Sequence, residues 1–246
     1  MILLLDLGNT SSKIAVMNDG GEIVHFERLG ESWSDAYSRL ERKFGPFLKI
    51  LVSNVAGPQP ELESVLESTG VAVHNLTWDG PEGQRFLKNI PEGLGADRLA
   101  AVIAARVLAP NDDIVVSDAG TCLTFDVVTA DGQYVGGNIS PGVALRLRCM
   151  HEHTAALPLF YPEGEAPEMG YDLPTAMRGG AVNGVKWEIE GFVRALRKKY
   201  PKVRHFFTGG NSFEFEEDVK DITVCDSALV LKGLYEAFKE NNDTKQ

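Results

Sequence analysis

One pattern occurs twice in this chain, and it constrains the fold more than any other feature. Residues 1–16 read MILLLDLGNTSSKIAV: an apolar run stops at Asp6-Leu7-Gly8-Asn9-Thr10, and a second begins after Lys13. That is strand, tight turn, strand, with a turn made of residues that accept unusual backbone angles. Residues 114–117 form another apolar run, which stops at Asp118-Ala119-Gly120-Thr121 and returns over 124–128. A second turn follows in each copy, Asn18-Asp19-Gly20-Gly21 in the first and Ala130-Asp131-Gly132 in the next, and each leads into a third strand. The two aspartates stand 112 positions apart. An acid, a glycine turn and a hairpin recurring together indicate a duplicated unit with two weakly similar copies.

The first turn has the chemistry of a phosphate site. Gly8 has no side chain, so backbone N–H groups can approach an anion closely. Asn9, Thr10, Ser11 and Ser12 add short donors, and Lys13 adds a positive charge. Asp6, at the strand end, could hold a divalent cation. Taken alone, the stretch reads equally well as a solvated hairpin. Composition narrows the choice of ligand. A formal charge of −11 argues against nucleic acid as a partner. A nucleotide bound by so acidic a chain needs metal ions and a few placed cations to neutralise its phosphates.

A length of 246 residues suits one large or two small domains. The boundary is expected at Pro110-Asn111-Asp112-Asp113, giving halves 1–110 and 111–246. Cys122, Cys149 and Cys225 make neither a disulfide framework nor a metal-ligand spacing, which fits a reducing, cytoplasmic location. The N-terminal apolar run lacks a basic flank and is too short for a signal peptide or a membrane span. Periodicity predicts strands over 22–28, 49–53, 71–76, 133–136 and 203–207. It predicts helices over 34–44, 60–70, 97–108, 143–153, 175–199 and 227–240. Residues 77–95 read as a long functional loop, 136–142 as turns and 241–246 as a frayed tail.

Several residues admit two readings. Asp97, in Gly95-Ala96-Asp97-Arg98, precedes the helical run LAAVIAARVLA and could be its N-cap. Arg98 opposes the helix dipole there, a cost that an anionic ligand would offset. Asp118 could be a plain strand-end acid, and Thr124 simply a β-branched strand residue. Thr175 follows Pro174 at a helix start and could also be a cap. Gly179, Gly180 and Gly184 inside that helix suggest close contact with another helix. His151 and His153 read as solvated surface. The basic end at Arg194, Arg197, Lys198 and Lys199 suits the helix dipole without nucleic acid.

The order and spacing of residues 6–13, 95–98, 118–126, 136–142, 154–158, 208–210 and 229–234 resemble the type III pantothenate kinase family. The resemblance implies an α/β, duplicated actin-like (ribonuclease H-like) ATPase fold, with two mixed-sheet halves around a nucleotide cleft. It implies ATP-dependent phosphorylation of pantothenate to 4'-phosphopantothenate, the first step of coenzyme A synthesis. Asp97 would be the general base, with Gly95, Ala96, Asp97 and Arg98 binding pantothenate and Thr175 reaching it from the neighbouring subunit of a homodimer. Residues 6–13, Thr121, Thr124, Gly209 and Gly210 would bind ATP. Asp6 would serve Mg-ATP, and Asp118 would hold a monovalent cation, K+ or NH4+. Gly137 and Ile139 could line the substrate tunnel. A regulatory accessory factor of the same family and another small-molecule kinase on this fold are the alternatives. The chain departs from the family at Cys122, at Asn54-Val55 and near Lys88, where a tyrosine is common and Phe86 is the nearest aromatic.

Overall fold

The computed structural model describes residues 1–239. The expected frayed tail, 241–246, lies outside them, as does the last residue of the expected closing helix. The chain forms two compact units, Met1–Leu108 with the stretch from Ala228 onward, and Ala109–Ser227. No described helix is long and apolar enough to cross a membrane.

In the first unit, β1 (Ile2–Leu7), β2 (Ser12–Met17) and β3 (Ile23–Arg28) make an antiparallel meander. After α1 (Trp33–Phe44), β4 (Lys49–Asn54) joins β1 in parallel. After α2 (Pro60–Thr69), β5 (Ala72–Asn75) joins β4. The sheet order is β3-β2-β1-β4-β5. Every residue of β1 is buried, as a central strand covered on both faces requires. Leu3, Leu5 and Leu7 pack with Trp33, Ala36 and Leu40 of α1 and Leu62 and Leu66 of α2. Alternation therefore sends Leu4 and Asp6 to the opposite face. That face is covered by α4 (Ala96–Leu108) and α8 (Leu229–Phe238), which pack on each other and on the central strands. Residues 77–95 are largely loop, with one short helix, α3 (Pro81–Gln84).

The second unit repeats the plan. Its meander is β6 (Ile114–Ala119), β7 (Cys122–Val128) and β8 (Tyr134–Pro141). After α5 (Val143–Glu152) and α6 (Leu173–Lys199), β9 (Arg204–Gly209) pairs parallel to β6. After α7 (Glu217–Lys220), β10 (Thr223–Cys225) completes the order β10-β9-β6-β7-β8. Val115, Ala119, Leu123, Phe125 and Phe207 pack against Val143, Leu147, Met177, Val185 and Ile189 of α5 and α6.

Three sequence expectations change, and two elements were not expected. The closing helix, assigned from sequence to the second half, belongs to the first unit because it lies on α4. Strand β8 runs through the glycines expected to be turns; Gly136, at φ 146°, adjoins the register shift in β7 that lets the edge strand continue. The cap of α6 is Asp172 rather than Thr175: its carboxylate accepts from the Thr175 N–H at 2.9 Å, and the Thr175 hydroxyl returns to the Asp172 backbone N–H in a capping box. Lastly, α7 and β10 had no sequence expectation at all.

Candidate active site

The repeated turns give two rows of side chains. In the first unit the register sets Lys13, Asp6 and Ser53 side by side on β2, β1 and β4. Partners in register share a face, here the one covered by α4 and α8. Lys13 Nζ is 3.6 Å from Asp6 Oδ2, and both side chains are mostly buried. The other carboxylate oxygen, Asp6 Oδ1, is buried and has no hydrogen-bond partner, and neither has the Ser53 hydroxyl. Burial pushes the Asp6 carboxyl above the usual range and the charge of Asp97 adds to it, while Lys13 and the Ser53 hydroxyl, which is near but outside hydrogen-bonding geometry, oppose this. The two acids thus lie within electrostatic reach of each other inside one unit.

Between β1 and β2 the turn is tight: a Cβ on Gly8 would come 3.0 Å from the Ser11 carbonyl oxygen. Asn9, Thr10 and Ser11 are exposed, and Ser12 is half-buried as β2 begins. Leu7 contributes its side chain to the core, and its carbonyl accepts from the Val55 N–H at 3.0 Å. Any ligand contact from Leu7 is consequently a backbone contact.

Helix α4 brings Asp97 to the same unit. Gly95 occupies the cap position, with its carbonyl accepting from the Leu99 N–H at 3.0 Å. Asp97 is therefore the second helical residue rather than the N-cap. Its Oδ1 accepts from the Arg98 N–H at 2.7 Å, which fixes the carboxylate at the helix start. Gly95 lets the carboxylate sit there, because a Cβ at that position would fall 2.6 Å from Asp97 Oδ1 and push it aside. Ala96 is buried and Arg98 half-buried. In the preceding loop, Trp78, Leu87, Lys88 and Ile90 line a pocket of about 410 Å³. Its aromatic wall is Trp78, while Phe86 stacks against the Arg85 guanidinium. Arg85 in turn donates to the carbonyls of Glu236 and Ala237, tying this loop to the end of α8.

The second unit has the equivalent row: Thr124, Asp118 and Thr208 stand in register on β7, β6 and β9. Thr208 Oγ1, like the Ser53 hydroxyl, is buried without a partner. Thr121 is exposed at the turn. Two glycines press on this turn. A Cβ on Gly142 would lie 2.3 Å from the Gly120 oxygen, and one on Gly209, at φ 114°, would lie 2.6 Å from the Ala119 backbone. Gly209 thus has a reason internal to the unit, the close approach of two strand ends. The Ala119 carbonyl accepts from the Gly210 N–H and from the Asn211 side chain at 2.6 Å. Behind Asp118, Ser117 Oγ is 2.6 Å from His205 Nε2, and His205 Nδ1 is 2.8 Å from Thr223 Oγ1. Thr223 donates to the Val219 carbonyl, so Nδ1 carries the proton and the Ser117 hydroxyl donates to Nε2. Thr175 is 5% exposed, with its hydroxyl engaged in the capping box.

Sequence reading missed Ser53, took Thr208 only as part of the turn 208–210 and not as the neighbour of Asp118, and missed Asn211. Counting register outward from the two aspartates finds the first two, since each stands opposite its aspartate on the neighbouring parallel strand. Asn211 has no such signal, because it lies in a loop after β9.

Comparison with known proteins identifies the family. Residues 2–195 match the family described as type III pantothenate kinase. A type III pantothenate kinase from Bacteroides fragilis is 39% identical over 242 residues, covering 98% of this chain and 99% of the relative. Among solved structures, a Baf family transcriptional activator from Campylobacter jejuni aligns with TM-score 0.58 and 25% identity, over 98% of this chain and 99% of the other. A 2-dehydro-3-deoxygalactonokinase protein from Sinorhizobium meliloti aligns with TM-score 0.55 and 12% identity over 96% and 98%, a likeness of fold alone. With two mixed five-stranded sheets of one plan, an actin-like, sugar-kinase-like fold and a family match over most of its length, the chain belongs to the type III pantothenate kinase family.

Proposed function

We propose that the protein transfers the γ-phosphoryl group of ATP to the primary hydroxyl of pantothenate, giving 4'-phosphopantothenate for coenzyme A synthesis. Beyond the family match, one observation carries the reading: Asp97, fixed at the start of α4, lies within electrostatic reach of the buried Asp6–Lys13 pair. An acceptor site and a phosphate site in one unit suit such a transfer. Asp97 orients the pantothenate hydroxyl and accepts its proton as transfer proceeds. Gly95 and Ala96 leave room for the substrate, and Arg98 binds its carboxylate.

The turn from Asp6 to Lys13 takes the phosphates through backbone N–H groups, short hydroxyls and the lysine. In the second unit, Thr121, Thr124, Gly209 and Gly210 are the ATP-binding residues of this reading. Among the described residues no group of three or more His, Cys, Asp or Glu could hold a metal ion by itself. One carboxylate with an unpartnered oxygen, Asp6, fits a magnesium ion that arrives on ATP, since magnesium binds through one or two carboxylates plus phosphates. Bound there, magnesium neutralises charge on the phosphates. Asp118 holds the monovalent cation, K+ or NH4+.

The active form is a cytoplasmic homodimer. Supporting this, Met169 and Tyr171, just before α6 and close in sequence to Thr175, are 86% and 73% exposed, and Trp187 further along that helix is 51% exposed. Large exposed apolar groups in one region are typical of an interface. A coupled ADP-release assay tests the function: turnover should require pantothenate and magnesium and rise with K+. ADP release indifferent to pantothenate would overturn it, and so favour the regulatory reading suggested by the name of the Campylobacter jejuni relative.

A further inference from the structure

Among the described residues, three buried side-chain polar atoms lack a hydrogen-bond partner: Asp6 Oδ1, Ser53 Oγ and Thr208 Oγ1. Native proteins satisfy most buried polar atoms, and an exception calls for an explanation. Packing accidents would scatter through the molecule. These three atoms belong instead to the two aspartate rows, and Ser53 and Thr208 hold the same place in them: in each unit the parallel neighbour of the turn aspartate is a hydroxyl residue, no more than 2% exposed.

We propose that Ser53 is a positioning residue of the nucleotide site: its hydroxyl and the unpartnered Asp6 Oδ1 together receive the hydrated magnesium ion that travels with ATP. The inference rests on the kinase reading above and adds a residue to it. Adjacent strands lie about 4.8 Å apart, so a hydroxyl in register with a carboxylate can share with it one oxygen-bearing ligand placed between them. Lys13, on the other flank, already neutralises Oδ2 at 3.6 Å, which leaves Oδ1 as the available oxygen. Magnesium keeps several of its waters when it binds a nucleotide, and those waters need acceptors and short polar side chains around them. In the ligand-free protein the same hydroxyl is a burden, because a buried polar group without a partner costs stability.

Thermal melting and titration calorimetry of the intact protein test this, using Mg·ADP and ADP with EDTA as probes. Ser53→Ala should melt at the parental temperature or above it without ligand. Its affinity for Mg·ADP should fall at least tenfold, and the Mg·ADP melting shift should shrink with it. Affinity for ADP in EDTA should stay parental, and Ser53→Thr, which keeps a hydroxyl, should restore the magnesium-dependent part. Should Ser53→Ala not fold, Ser53→Cys preserves the volume with a poor donor and must show the same selective loss. Parental Mg·ADP binding by Ser53→Ala or Ser53→Cys would overturn the role of Ser53 and leave the kinase reading standing. Lowered stability with an unchanged Mg·ADP shift would likewise reduce Ser53 to a packing residue. Absence of any Mg·ADP binding by the parent would overturn both.

Discussion

Gly233 of α8 and Ala100 of α4 meet backbone to backbone: a Cβ on the glycine would fall 1.7 Å from the Ala100 carbonyl oxygen. No side chain fits, so the two helices can approach this closely only with glycine at 233. The contact explains why the last helix of the chain closes the first unit. Gly233→Ala should force the helices apart and cost roughly 3 kcal/mol, at the upper end for overpacking. At about 2–4 °C per kcal/mol for a protein of this size, the melting temperature should fall by roughly 6–12 °C. Scanning calorimetry checks it, and a parental melting temperature would mean the contact is not tight.

What the sequence made legible was local. Both hairpins follow from apolar runs broken by an acid and glycine, and α4 follows from the run of small and aliphatic residues from Leu99 to Ala105. The return of α8 was not legible, because its apolar residues show that it packs without showing on what. Gly233 was the available clue, small where a helix former would be expected. Strand β10 is three residues long and edge-placed, too short for alternation to register. In the candidate site the single motifs were readable, while the rows were not: Ser53 and Thr208 gain meaning only from strand order, which is non-local.

His205 makes the second unit sensitive to acid. It is buried, bonded on both nitrogens, and burial lowers its pKa to about 3 from an ordinary 6.5. The unfolded chain binds a proton below about pH 6.5 and the folded chain does not, so stability falls as pH drops from there towards 3. The slope is at most about 1.4 kcal/mol per pH unit, or roughly 2 kcal/mol lost at pH 5. Urea unfolding at pH 7 and pH 5 should show this loss in the parent and a flatter dependence in His205→Asn. Equal pH slopes would remove His205 as the cause.

The two turn aspartates should separate by ion. Asp118→Asn should weaken the dependence of turnover on K+ while leaving the fold intact. Asp6→Asn should instead raise the Mg-ATP requirement, since it removes the charge from a carboxylate paired with Lys13. Titrations of ATP and of potassium against both variants decide the matter. Two variants indistinguishable from the parent would dismiss both ion roles.

Asp97 gives the sharpest test, because its structural and chemical roles make opposite demands. It is not the cap of α4, so Asp97→Asn removes no capping bond, and an asparagine oxygen can still accept from the Arg98 N–H. The lost helix-dipole interaction should cost under about 1 kcal/mol. A general base is typically worth 10²–10⁴-fold, and turnover should fall by about that factor with ATP binding unchanged. Arg98→Ala should chiefly raise the KM for pantothenate, as expected for a contact made equally in ground and transition states. Gly95→Ala supplies the complementary probe. Its methyl would lie 2.6 Å from Asp97 Oδ1, so it displaces the carboxylate without changing its chemistry. A misplaced base should lower turnover while the melting temperature moves far less than in Gly233→Ala. Near-parental turnover in Asp97→Asn, with a large loss of stability, would make Asp97 a structural residue and send the search for the base elsewhere.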